Sequence, residues 1–201
     1  KMLRKEALVS GEIYHVFNRG VDKREIFNSP SDYGRFVESL EKFNTPDAVE
    51  LRRQQNIRAA EVGPPQEVSE RFVSILGYTL LPNHFHLLLR QEIDAGITEY
   101  MRKICTGYTM YFNIKSKRVG PLFQGKFKSV HVLNESQSLY IPHYVHLNVL
   151  DVEAPGWKEH GINPTKALHL LQAYEWSSAR EFAGHEVQNS IVNHDVVKDV
   201  F

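Results

Sequence analysis

Cysteine is almost absent from this chain of 201 residues, and Cys105 stands alone. One thiol excludes an internal disulfide framework and a zinc site built on cysteines, and it agrees with a reducing compartment. No apolar run approaches the roughly 20 residues that a membrane-spanning helix needs, and the opening Lys1-Met2-Leu3-Arg4-Lys5-Glu6 is too polar for a secretory signal. The expected location is the cytoplasm. Net charge is missing too, with 24 basic residues against 24 acidic ones. As a sum, neutrality argues against a nucleic-acid partner, because phosphate neutralisation needs an excess of Lys and Arg on the binding face. The distribution reverses that argument. Residues 101–130 contain Arg102, Lys103, Lys115, Lys117, Arg118, Lys126 and Lys128 and no acidic residue, whereas Asp and Glu dominate from Glu135 onward. Such asymmetry marks a nucleic-acid face or, more blandly, a solvated basic helix.

The periodicities give an element order. Glu12 to Asn18 alternates and is rich in β-branched and aromatic residues, as a strand does. Ser29-Pro30-Ser31-Asp32 opens a helix over 31–44, with Tyr33, Phe36, Val37, Leu40 and Phe43 at helical spacing. Residues 45–68 are polar and punctuated by proline and glycine at both ends, and read as a mobile insertion or linker, with room for a short helix around Glu50 to Ala60. Arg71 to Leu80 is a second strand, Pro82-Asn83 a turn and His84 to Arg90 an antiparallel third strand. Thr98 to Lys115 is an amphipathic helix whose aromatics suit a core better than a base-stacking platform. Lys126 to Leu133 alternates again, and Asn134 with Gln137 resembles a capping pair opening a helix to about Leu150, kinked or offset at Pro142. The order β-α-β-β-α-β is that of an α+β, ferredoxin-like (split βαβ) antiparallel sheet with helices on one face and the other open to ligand. Residues 1–152 form the expected catalytic domain, and 153–201 an accessory segment packed on it.

Two constellations carry chemistry. His84-Phe85-His86 puts two imidazoles at i and i+2 of a strand, side by side on one sheet face, where they can clamp a metal. A lone His-x-His also describes two polar residues on an edge strand. Downstream, Tyr144 and Asn148 lie four apart on one face of the late helix. If that face covers the histidine pair, Asn148 can offer an amide oxygen as a third ligand while Tyr144 presents a phenol. A phenol, with an ordinary pKa of about 10, is a poor nucleophile at neutral pH. It can nevertheless attack a phosphodiester whose oxygens a divalent metal has polarised.

These residues sit in longer stretches: Tyr14-His15-Val16-Phe17-Asn18-Arg19-Gly20, Tyr78 to Leu89, Gly120-Pro121-Leu122-Phe123-Gln124-Gly125-Lys126-Phe127-Lys128-Ser129, Tyr144-Val145-His146-Leu147-Asn148 and Trp176-Ser177-Ser178. In order, over nearly the whole chain, they resemble the single-tyrosine HUH transposases, in particular the REP-associated tyrosine transposase branch of the IS200/IS605-like superfamily. The resemblance implies an HUH endonuclease fold acting on single-stranded DNA at or near hairpins, with Mg2+ or Mn2+ as cofactor and a 5′-phosphotyrosine intermediate. By position, His84 and His86 match the HUH ligands, Tyr144 the nucleophile and Asn148 the third ligand. The chain departs from the family at Val149, where proline is common, and at His143, where arginine is common. His143 and His146 are candidates for holding phosphate or shuttling a proton, or else simply face solvent or pack, and Tyr140 is the rival nucleophile. Expected phosphate contacts are Arg19, Lys23, Arg24, Arg102, Lys103, Lys115, Lys117, Arg118, Lys126 and Lys128, with Phe123 and Gln124 as candidates for base contact. The competing reading is a non-catalytic, domesticated binder of structured single-stranded nucleic acid. A carboxylate-assisted metal hydrolase lacks an Asp or Glu in either motif.

Overall fold

In the computed structural model, the described residues are 7–46, 71–133, 135–185, 187 and 190–201. Among them a four-stranded antiparallel sheet forms from β1 (Ile13–Arg19), β2 (Val73–Leu81), β3 (His84–Gln91) and β4 (Lys128–His131), in the spatial order β2-β3-β1-β4. That is the ferredoxin-like order expected from the sequence. Helices α1 (Pro30–Lys42) and α2 (Gly96–Lys115) pack on one face. Val16 of β1, Phe85, Leu87 and Leu89 of β3 and Leu80 of β2 meet Phe36 and Leu40 of α1 and Tyr100, Ile104 and Tyr108 of α2 there, all essentially excluded from water. At about 1.5–3 kcal/mol for each large apolar side chain buried, this layer is the main source of cohesion.

The second face is not bare. Helix α3 (Glu135–Leu147) lays Val145 against Leu76 and Leu88 of the sheet, and the C-terminal helix brings Val196 to the same cluster. The chain between them runs through short helices α4 (Leu150–Glu153), α5 (Trp157–His160), α6 (Pro164–Ala173) and α7 (Ala179–Phe182) before ending in α8 (His194–Val200). The sheet edge at β2 is closed by residues 176–178. Leu80 N–H donates to the Trp176 carbonyl at 2.8 Å, Ser178 N–H to the Tyr78 carbonyl at 3.0 Å, and Tyr78 N–H to Ser178 Oγ at 2.9 Å.

Element limits move for identifiable reasons. Ser29 stands at the N-cap position of α1 without a side-chain bond to the helix backbone, and Pro30 takes the first helical position, where a missing N–H costs nothing. Strand β4 is shorter than its alternation predicts, since it pairs only with Tyr14 to Phe17 of β1. Helix α3 continues through Pro142 and stops at Leu147, short of the predicted Leu150. There the Asn148 side chain donates to the Tyr144 carbonyl at 2.6 Å and so competes for the acceptor of the next helical bond. Gln137 Oε1 accepts from Leu133 N–H at 2.7 Å, one residue before the predicted cap, and Asn134 itself lies outside the described residues. So does the predicted linker from residue 47 on.

Candidate active site

Strand register decides which side chains share a face. Arg19 is paired with His84, and Phe17 with His86, in the β1–β3 ladder. Thr79 and Leu81 of β2 flank the same two histidines. His15, Phe17 and Arg19 therefore line the histidine face of β1, while Tyr14, Val16 and Asn18 point toward α1 and α2. Lys128 of β4 lies opposite Phe17 and joins that face.

The two histidines are oriented by partners that the sequence reading did not single out. Asn83 donates its amide NH2 to the Lys23 carbonyl at 3.2 Å, which leaves its Oδ1 to accept from His84 Nδ1 at 2.6 Å. A protonated Nδ1 puts the free lone pair of His84 on Nε2. His86 Nδ1 meets His15 Nε2 at 2.8 Å, and the two rings stack with centroids 5.0 Å apart. Donation from His86 Nδ1 likewise leaves Nε2 as the ligating atom, and that Nε2 is buried with no protein partner among the described residues. An unmet buried polar atom costs about 1–3 kcal/mol, so this nitrogen calls for a partner, water or ligand. Burial holds all three imidazoles neutral: the pKa of His15 and of His84 falls to about 4 and that of His86 to about 2, with neighbouring positive charge helping at His84 and His86. Neutral imidazole is the form that binds metal.

Helix α3 brings the tyrosine to this pair. The Tyr144 ring stands edge-on to His15 at 5.5 Å and to His86 at 6.1 Å between centroids, and the His84 and His86 rings are 5.0 Å apart. Asn148, one turn on, is buried, and its NH2 donates to the Tyr144 carbonyl, which leaves Oδ1 as its free polar atom. Among the described residues no group of three or more His, Cys, Asp and Glu could hold a metal. The two imidazole nitrogens suit Mn2+, whereas Mg2+ prefers oxygen donors such as an amide carbonyl and water.

Other candidates fall elsewhere. Tyr140 is 60 % exposed and touches the Tyr144 ring at 6.0 Å, one turn from the histidines. His143 is exposed. His146 faces the opposite way, buried against Phe182, with Nε2 2.8 Å from Ser178 Oγ. Burial pushes the Cys105 thiol up to about 12, which makes it inert at neutral pH.

The predicted DNA contacts divide in two. Arg19, Lys23, Arg24, Gln124 and Lys126 belong to segments meeting at the His84 end of the sheet, where Gly20 N–H donates to the Asn83 carbonyl and Gln124 N–H to the Arg19 carbonyl. Arg102 and Lys103 lie in the early turns of α2, on the other face and toward the other end. Arg102 pairs with Glu99 at 2.8 Å, and Lys103 sits 4.7 Å over the Phe72 ring. Lys115 is taken by the buried Asp32 at 2.6 Å, and Arg118 braces its own loop through Asn113 and the Pro121 carbonyl. Lys117 follows α2 in a left-handed turn, with φ 50°. Phe123 is buried against Phe85 and is core rather than a base platform. No helix among the described residues is long and apolar enough to cross a membrane.

No family model matches the chain. Nor does any curated protein match it. Among solved structures it is similar to a REP-associated tyrosine transposase bound to a REP hairpin, with a TM-score of 0.56 over 96% of this chain and 94% of that one, at 12% identity. At that identity the likeness is one of fold, and it extends over nearly the whole of both chains.

Proposed function

We propose that the protein nicks and rejoins single-stranded DNA, with Tyr144 as nucleophile and the site formed by His84, His86 and Asn148 holding Mg2+ or Mn2+. The observation that carries this reading is the meeting of the Tyr144 ring with His86, whose outward Nε2 is buried and unpartnered. The bound cation would supply Lewis-acid polarisation of the phosphate, worth several kcal/mol of transition-state stabilisation. The phenolic oxygen of Tyr144 attacks phosphorus in line with the 3′ oxygen. The new bond is tyrosyl O–P, the broken one is P–O3′, and the proton lost by the phenol is matched by the one gained at the departing 3′ hydroxyl. A 3′ hydroxyl attacking the 5′-phosphotyrosine reverses the exchange, so rejoining needs no energy source. Asn83 and His15 fix the imidazoles, and the basic rim from Arg19 to Arg24 and Lys126 to Lys128 positions the strand. A hairpin beside the cleavage site is the substrate that the similar transposase's own ligand suggests.

The test is a denaturing gel after incubation of the protein with hairpin-bearing single-stranded DNA and Mn2+. A covalent adduct is expected that disappears with EDTA and with Tyr144→Phe but persists with Tyr140→Phe. An adduct retained by Tyr144→Phe moves the chemistry to another residue. Tight binding with no adduct under any metal favours the non-catalytic binder, a reading that draws on the same basic rim.

A further inference from the structure

The histidine face holds a second unmet polar atom. Among the described residues three buried side-chain nitrogens or oxygens lack a hydrogen-bond partner: His86 Nε2, Arg19 Nε and Arg180 Nε. Two of the three stand on the same face of the sheet, one register step apart, because Arg19 is directly opposite His84 and Phe17 directly opposite His86. Their chemistry is complementary. His86 Nε2 offers a lone pair and asks for a cation, whereas Arg19 Nε offers a proton and asks for an anion. A guanidinium cannot lose its charge to escape burial, as an imidazole can. The backbone around it is fixed rather than loose. Arg19 N–H donates to Asn18 Oδ1 at 2.9 Å, its carbonyl accepts from Gln124 N–H at 2.8 Å, and the following Gly20 has no room for a Cβ against the Arg24 carbonyl oxygen. The side chain is thus held beside the histidine pair by the strand end and the turn that follows it.

We infer that Arg19 is the clamp for the scissile phosphate: its Nε–H, with the guanidinium fork, donates to a non-bridging oxygen of the phosphodiester, beside the place where His84 and His86 would hold a cation. This rests on the phosphoryl-transfer reading above and gives it a named anion site. A planar fork suits a tetrahedral oxyanion whose charge is shared over several oxygens. It separates Arg19 from the other basic residues of the rim, whose contacts position the strand without touching the reacting group. A neutral base at this position would leave the charge of the fork unmatched.

The probe is inorganic phosphate added to the Mn2+-treated full chain, read by 31P line broadening, with Mn2+ affinity measured in parallel by electron paramagnetic resonance. Wild type is expected to broaden phosphate saturably, and single-stranded DNA to compete. Arg19→Met should weaken phosphate binding roughly ten- to a hundredfold, the usual worth of a charge-assisted hydrogen bond, with Mn2+ affinity kept. Arg19→Lys, which keeps charge and bulk but loses the fork, should fall between and guards against a folding defect in the methionine variant. Phosphate bound equally by all three proteins overturns the inference, and so does a wild type that takes up no phosphate. The adduct assay run beside it keeps the two ideas apart. Arg19-dependent phosphate binding with no Tyr144 adduct sinks the transferase and leaves the clamp, whereas an adduct whose rate ignores Arg19 sinks the clamp and leaves the transferase.

Discussion

At the scale of single residues, the site is a lesson in what orients a ligand. His84 and His86 carry the obvious pattern, but neither would present Nε2 without a partner on Nδ1. Asn83 supplies one from the turn and His15 the other from the neighbouring strand. On the proposed metal site, His15 would be a positioning residue whose effect passes through His86. Outer partners of metal-binding histidines are typically worth ten- to a hundredfold in affinity. His15→Phe should therefore lower Mn2+ affinity by roughly that factor and, by stranding the buried His86 Nδ1–H, cost about 1–3 kcal/mol of stability, although the aromatic ring keeps its stack on Phe17 at 5.1 Å. His15→Gln, whose side chain can still accept a hydrogen bond, should recover part of the loss. Electron paramagnetic resonance titration decides it, and equal affinities in all three proteins would show that His86 needs no help from β1.

At the scale of elements, the second face of the sheet gathers imidazoles from three places: His15 on β1, His84 and His86 on β3, and His146 on α3. Burial lowers the pKa of each, to about 4 for His15, His84 and His146 and about 2 for His86. The unfolded chain binds these protons from about pH 6.5 downward, whereas the folded chain refuses them until much lower pH. Stability is therefore full above pH 6.5 and is lost as the pH falls through the window between unfolded and folded values, by up to about 1.4 kcal/mol per pH unit for each group. Urea denaturation in EDTA at pH 7, 6 and 5 should show a steep decline, and His146→Asn should flatten it by about one proton's worth. A constant midpoint across that range would mean that these imidazoles are charged in the folded protein. The same face shows what the sequence could and could not disclose. The alternation of β1 and β3 and the helical spacing of α1 and α2 were legible because one side of each element is apolar throughout, and the His84–His86 pair and Tyr144–Asn148 face followed from local periods of two and four. His15 was hidden, since its role depends on the β1–β3 register, a long-range pairing that no local pattern encodes. His146 was ambiguous for the same reason: its partner Ser178 is 32 residues away. The α3 terminus was misjudged because the stop comes from the Asn148 side chain bonding back to its own helix, not from a glycine or proline signal.

At the scale of the whole molecule, the balance of charge conceals a division of labour. The acid-free stretch from residue 101 to 130 looked like one basic face in sequence, yet α2 carries its first basic residues to the far side of the sheet and uses its last one to neutralise the buried Asp32. Only the chain that returns from α2 into β4 comes back to the histidine end, where Lys128 shares a face with Phe17 and His86. Proximity in sequence is a poor guide here because a 20-residue helix spans the full length of the strand it packs on. For single-stranded DNA the log of affinity falls with log salt by about 0.7 per phosphate neutralised. Lys128→Ala should thus weaken binding and reduce that slope by about 0.7, whereas Arg102→Ala with Lys103→Ala should leave both affinity and slope where they were. Fluorescence anisotropy with a labelled hairpin oligonucleotide, at several salt concentrations, measures both quantities together. A slope that drops for the α2 double variant and not for Lys128→Ala would put the DNA on the opposite layer, away from Tyr144, and would leave the phenol with no substrate to attack.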